Sequence, residues 1–224
     1  MRWYGYVLAG VLLPLGASAQ HLRSWELGLA GGAAANLPTA LRLSQRDAPT
    51  LRLRARYRTE PFRPPVYYDV RLATWRGNTG WALRLTHHKL TLDNPPPEVQ
   101  SFSMTDGFNL LTVSRLWRRH GWAWAVGAGA AVPHPESTVR GRVFRERGGL
   151  LNTGYFLAGP AVEVGVARRQ PLGRHLVLQA EVRTTAAAVR VPIDNGHARA
   201  TNVALHGLLG VAYQFGPAVG AASR

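Results

Sequence analysis

Val66-Tyr67-Tyr68-Asp69-Val70-Arg71-Leu72 is followed by the turn-forming Gly77-Asn78-Thr79-Gly80 and then by Trp81-Ala82-Leu83-Arg84-Leu85-Thr86. On both sides of the turn, apolar and polar side chains alternate with a period of two. This is the signature of two antiparallel strands joined by a hairpin. Val70, Leu72, Leu83 and Leu85 point one way, and Asp69, Arg71 and Arg84 point the other. Both faces of the hairpin are therefore committed, one to an apolar medium and one to a polar one.

The same alternation continues outward along the chain. It opens at Trp25-Glu26-Leu27-Gly28-Leu29 and returns over residues 109–117, 122–132, 156–167, 176–191 and 203–215. The connections sort by length: 77–80, 118–121 and 168–174 are short, while 93–107, 133–154 and 192–201 are long. Short turns at one end and long loops at the other define a transmembrane, antiparallel, up-and-down β-barrel with its short side periplasmic. Leu51, Leu53, Ala55 and Tyr57 alternate with Arg52, Arg54, Arg56 and Arg58, and Leu41 and Leu43 flank Arg42. These segments read as one extra hairpin, so the all-β fold has eight to ten strands, with ten preferred.

Aromatic placement follows the same topology. Trp25, Trp75, Trp81, Trp117, Trp122 and Trp124 fall at the short-turn ends of their strands and read as a periplasmic aromatic belt. The opposite parity carries Glu26, Asp69, Arg71, Arg84, Glu163, Glu181 and Arg183, which are expected to form a charge-paired lumen that works as a polar plug.

Residues 1–19 read as a cleaved signal peptide: Arg2 is the positive start, residues 7–15 are the apolar segment, and Ala17-Ser18-Ala19 is a small-x-small cleavage site. The apolar segment is far shorter than the roughly 20 residues of a membrane-spanning helix. The barrel then occupies 20–215, and 216–224 is a short C-terminal tail. The chain has 224 residues and no cysteine, which excludes disulfides, thiolate metal sites and a lipidated N-terminal cysteine.

The formal net charge of +15 comes almost entirely from arginine, Lys89 being the only lysine. An exported chain has little access to nucleic acid, so the expected partners are outer-membrane lipid and the phosphates of lipopolysaccharide. Barrel-assembly and periplasmic chaperone machinery would act during export. The expected location is the bacterial outer membrane.

Further segments carry a family likeness: Tyr67-Tyr68-Asp69-Val70-Arg71, His87-His88-Lys89-Leu90, Asn94-Pro95-Pro96-Pro97-Glu98-Val99-Gln100, Gly107-Phe108-Asn109-Leu110-Leu111 and His134-Pro135-Glu136-Ser137-Thr138-Val139-Arg140-Gly141. Across roughly residues 37–141 the chain resembles a family of small bacterial outer-membrane β-barrel proteins. The resemblance implies the fold and brings no established activity. The C-terminus departs from the usual barrel pattern, because Phe215 is followed by nine more residues.

The long loops gather the candidate chemistry. His88, His134, Glu98, Glu136 and Ser101 would suit a general acid/base site, with the serine as nucleophile of a lipid or ester hydrolase. The His-x-Ser-x-Asn pattern of lipid A deacylases is absent, since His206 is followed by Gly207 and Leu208. Bracing of the loops is preferred over catalysis. No cofactor or metal is expected, because His87 and His88 are adjacent on a strand and point to opposite faces. The arginines at 52–58 either hold phosphate groups or neutralise Glu26, Asp69, Glu163 and Glu181 inside the barrel, and the second is preferred. A structural or interaction role thus leads, with an outer-leaflet lipid-modifying hydrolase and a narrow solute pore as alternatives.

Overall fold

The computed structural model describes residues 23–145 and 148–216. The expected signal peptide, and the tail beyond Gly216, lie outside the described residues. Eight strands form the wall: β1 (Arg23–Asn36), β5 (Tyr68–Arg76), β6 (Thr79–Leu92), β7 (Val99–Arg119), β8 (Trp122–Pro133), β11 (Gly159–Leu172), β12 (Leu176–Ile193) and β13 (Gly196–Phe215). Each pairs antiparallel with the next, and β1 pairs with both β5 and β13, so the sheet closes on itself. Closure leaves no unpaired edge, the condition for strands to cross a lipid phase.

Two of the short turns show why the hairpins form where they do. Gly77 has φ 58° at the first turn position, and His120 with Gly121 have φ 48° and 75°. Positive φ at these positions is what two-residue hairpins need to match the twist of the strands.

Five shorter strands stand at the opposite end: β2 (Thr39–Gln45), β3 (Leu51–Ala55), β4 (Tyr57–Arg58), β9 (Glu136–Val139) and β10 (Arg142–Phe144). The β2–β3 hairpin continues the sheet from the outer part of β13, β4 pairs with the outer end of β6, and β9 with that of β7. The extra hairpin expected from sequence therefore exists, but it adds to the rim and not to the wall. The closed wall has eight strands in place of the preferred ten. Five residues of β3 fall short of the roughly 9–11 that a tilted strand needs to cross the hydrocarbon.

The wall is apolar outside and polar inside over its lower part. Leu27, Leu29, Leu83, Val113, Val126, Val164, Leu178, Val182, Leu209 and Val211 are exposed on its outer face, while Glu26, Asp69, Arg84, Glu163, Glu181 and Arg183 are buried. Exposed apolar area on this scale, wrapped around a charged interior, is the transmembrane arrangement. Within the rim the interior changes to an apolar core that includes Leu41, Leu43, Tyr57, Leu90, Phe102, Met104, Val139, Val191 and Ile193.

Trp25, Trp81, Trp117, Trp122 and Trp124 are exposed on the outer face at the short-turn end. Trp75 does not join them: it is buried inside the wall, with Arg118 and Arg169 stacked over its ring at 4.6 and 5.3 Å. The physical reason is parity, since Trp75 shares the inward side of β5 with Asp69, Arg71 and Ala73.

Candidate functional site

Four carboxylates (Glu26, Asp69, Glu163, Glu181) and four guanidinium groups (Arg71, Arg84, Arg169, Arg183) are buried in the lower lumen. Arg84 binds Glu181 through two hydrogen bonds of 2.7 and 3.2 Å and lies 3.5 Å from Asp69. Arg183 donates to Asp69 at 2.8 Å and is 3.5 Å from Glu163. Nearer the short-turn end, Glu26 accepts from Arg71 at 2.6 Å and is also clamped by Arg169.

Neutral side chains satisfy further atoms. Thr86 donates to Asp69 at 2.7 Å, Ser114 to Glu163, and Gln179 to Glu181 at 2.9 Å. Two voids left among these groups measure about 10 Å³ each, at the lower limit of the roughly 10–15 Å³ that one water occupies. Arg169 was not anticipated from sequence, although Ala161, Glu163, Gly165, Ala167 and Arg169 share one parity on β11.

Of the candidate acid/base residues only His134 and Glu136 come together; His88, Glu98 and Ser101 do not join them. His88 lies inside the wall, its ring centre 5.2 Å from those of Phe108 and His206. His206 is engaged on both nitrogens, by the Tyr67 hydroxyl at 2.9 Å and the Thr185 hydroxyl at 2.8 Å. His87 instead stacks on Tyr68 at 4.7 Å and meets Asn109 at 2.9 Å. His134 packs on Tyr155 at 4.9 Å, close to Asp106 and Glu136. Glu98 and Ser101 are exposed. No side-chain hydrogen bond joins a serine to a histidine among the described residues.

The arginines of the rim form the most regular constellation on the outer surface. Arg52 faces Arg42 across β3 and β2, Arg42 faces Arg199 across β2 and β13, and Arg199 faces Arg190 across β13 and β12. All four are exposed and, among the described residues, have no carboxylate partner. Arg54 and Arg56 are exposed as well, and Arg58 pairs with Asp93 at 3.3 Å. The preferred expectation that the 52–58 arginines neutralise the lumen acids is therefore overturned. The short strands β3 and β4 that bear or flank them stand on the rim, and the lumen acids already have their own arginines.

Directly opposed residues sit roughly 4.5–5.5 Å apart, and like charges so placed repel. The field is felt nearby: partial burial and the guanidiniums of Arg190 and Arg199 hold the His197 imidazole below its ordinary pKa.

A closed antiparallel wall with an apolar exterior, an ion-paired interior and a basic rim defines a β-barrel of the outer-membrane type. Among solved structures, the chain is similar to Ail, the attachment invasion locus protein of Yersinia pestis, at 11% identity over 86% of this chain and 97% of that one, with a TM-score of 0.40. Neisserial surface protein A gives 10% identity over 86% and 97%, TM-score 0.38. The outer membrane protein OprG from Pseudomonas aeruginosa gives 12% over 86% and 95%, TM-score 0.38. No protein-family model matches the chain. No curated protein matches it in sequence.

Proposed function

We propose that the chain is a bacterial outer-membrane barrel that acts through its outer surface, holding lipopolysaccharide phosphates along the row Arg52–Arg42–Arg199–Arg190. The row itself carries this reading: four like charges in register across four strands repel one another unless an anion lies along them. Arginine is suited to the task because its planar fork meets phosphate oxygens in pairs.

The height of the row agrees. On β12 the outward side runs Leu176, Leu178, Ala180, Val182, Thr184, Ala186 and Ala188 before it reaches Arg190. At about 3.3 Å per residue and a tilt near 40°, that run rises about 30 Å. The apolar band of such barrels is about 25 Å tall, so Arg190 and its neighbours stand at headgroup level on the long-loop side. The ion-paired lumen supports a scaffold in preference to a pore.

The test is binding of lipopolysaccharide to the refolded, detergent-solubilised protein by titration calorimetry, with a dephosphorylated preparation alongside. The Arg42→Gln, Arg199→Gln double variant should bind about tenfold more weakly or worse, and removal of the phosphates should have the same effect on the unmodified protein. Equal binding by the double variant, or by the dephosphorylated lipid, would refute the proposal.

A further inference from the structure

We infer that Asp106, His134 and Glu136 form a divalent-cation site on the outer rim, with the mixed nitrogen and oxygen donors that favour zinc. The topology brings them together. Ser103 on β7 pairs with Glu136 on β9, whereas Phe108 on the same strand pairs with Pro133 on β8. Asp106 thus sits where β7 changes partners, opposite the break between β8 and β9 that carries His134. The main chain is fixed there by His134 N–H donating to the Gly107 carbonyl at 2.9 Å, and by the Tyr155 hydroxyl donating to the Asp106 carbonyl at 2.8 Å.

One donor atom from each of the three side chains lies within 4.8 Å of the others, and His134 Nδ1 is 3.7 Å from Asp106 Oδ2. Ligands about 2.0–2.1 Å from a tetrahedral zinc stand about 3.3 Å apart, so the histidine and aspartate need to close by only a few tenths of an ångström. The Asp106 side chain is 47% exposed and has room to rotate.

An independent observation points to a ligand. His134 is only 4% exposed, and its Nδ1 is buried without a hydrogen-bond partner. The ring cannot swing away, because Tyr155 packs on it and Gly154 lies against its Nε2 edge. A buried polar atom left unpaired is costly, and native proteins rarely tolerate one. Among the described residues neither Asp106 nor Glu136 pairs with an arginine, although the rim is rich in them and Glu60 and Asp93 both do.

An imidazole nitrogen beside two carboxylates selects a borderline ion such as zinc over magnesium or calcium, which prefer all-oxygen shells. Three protein donors leave one tetrahedral position for water. The ion would clip β7 to the β8–β9 junction. This site shares no residue with the arginine row and stands whether or not lipopolysaccharide binds there.

The test uses untagged, refolded protein in detergent, stripped with chelator and titrated with Zn2+ and with Co2+ as a spectroscopic probe. One saturable site is expected, with Co2+ bands of a low-symmetry nitrogen–oxygen environment. His134→Ala and Glu136→Gln should each weaken binding about tenfold or more, while His87→Ala and His197→Ala leave it unchanged. The heat-dependent shift of barrels on a denaturing gel shows that each variant has folded. Absence of saturable binding in the unmodified protein, binding that survives both His134→Ala and Glu136→Gln, or an equal response to Mg2+ would each overturn the assignment.

Discussion

Strands β12 and β13 each run through two regions with opposite chemistry. In their lower halves the inward side chains are Gln179, Glu181, Arg183 and Thr185 on β12 and Gln214, His206 and Asn202 on β13; the outward ones are Leu178, Val182, Leu205, Leu209 and Val211. In the upper halves the faces exchange. Val189, Val191, Ile193, Ala198 and Ala200 are buried, while Arg190 and Arg199 are exposed. The backbone alternation never breaks, so what changes is the medium around the wall. Against hydrocarbon, apolar side chains face out and charges must be paired within. Against water the ordinary order returns, and the hydrophobic effect draws the apolar face inward.

The sharpest way to break this comparison is to unpair the lower interior. Glu181→Ala removes the two-point partner of Arg84 and leaves a buried guanidinium with longer contacts to Asp69 and Glu163. The expected loss is about 3–5 kcal/mol in urea unfolding of the vesicle-embedded barrel, and Glu163→Ala should behave alike. Leu178→Ala, on the lipid face of the same strand, should lose only about 1–2 kcal/mol. Equal losses for Glu181→Ala and Leu178→Ala would mean that the lumen pairs are hydrated and that the lower interior is not a desolvated plug.

A second pair of substitutions sharpens the boundary between the two regions. Val182 is the midpoint of the outward run from Leu176 to Ala188, and Arg190 is the first charge above it. Val182→Arg places a guanidinium at mid-bilayer and should lose about 2–4 kcal/mol. Arg190→Leu changes a side chain above the hydrocarbon and should stay within about 0.5 kcal/mol. Comparable penalties for the two variants would put the boundary elsewhere on β12.

This boundary also separates what the sequence makes legible from what it does not. Alternation and the sorting of loop lengths identify the antiparallel barrel, because the first follows from the pleat of each strand and the second from strands that run up and down in turn. The period of two reports which side chains share a face, and it is silent on whether lipid or water lies outside that face. The Leu51 to Arg58 alternation therefore suits a wall strand and a rim strand equally, and only the short reach of β3 decides for the rim. Parity does contain the corrections for Trp75 and Arg169, which share faces with Asp69 and Glu163 respectively. At the candidate site, His134 and Glu136 lie close together in sequence, but their meeting with Asp106 depends on the change of partner along β7, a tertiary fact that local pattern does not carry.

The smallest expected effect probes the upper region through its own titratable reporter. His197 lies on the outward side of β13, two residues from Arg199, and its pKa is lowered by partial burial and by the charges of Arg190 and Arg199. Arg199→Gln removes one of those charges, so imidazolium forms more easily and the pKa should rise toward its ordinary value. The rise should shrink with added salt, because the Debye length falls from about 30 Å at 0.01 M to about 8 Å at 0.15 M. Phosphate seated on the row should also raise the His197 pKa in the unmodified protein, by placing negative charge beside the ring. The phosphate effect should weaken in Arg199→Gln, where the anion loses one of its four cations. Ring resonances followed through a pH titration, with and without bound lipopolysaccharide, read all three shifts. If Arg199→Gln leaves the His197 titration unmoved at low salt, burial alone sets it, and the rim arginines do not act on their surroundings as one row.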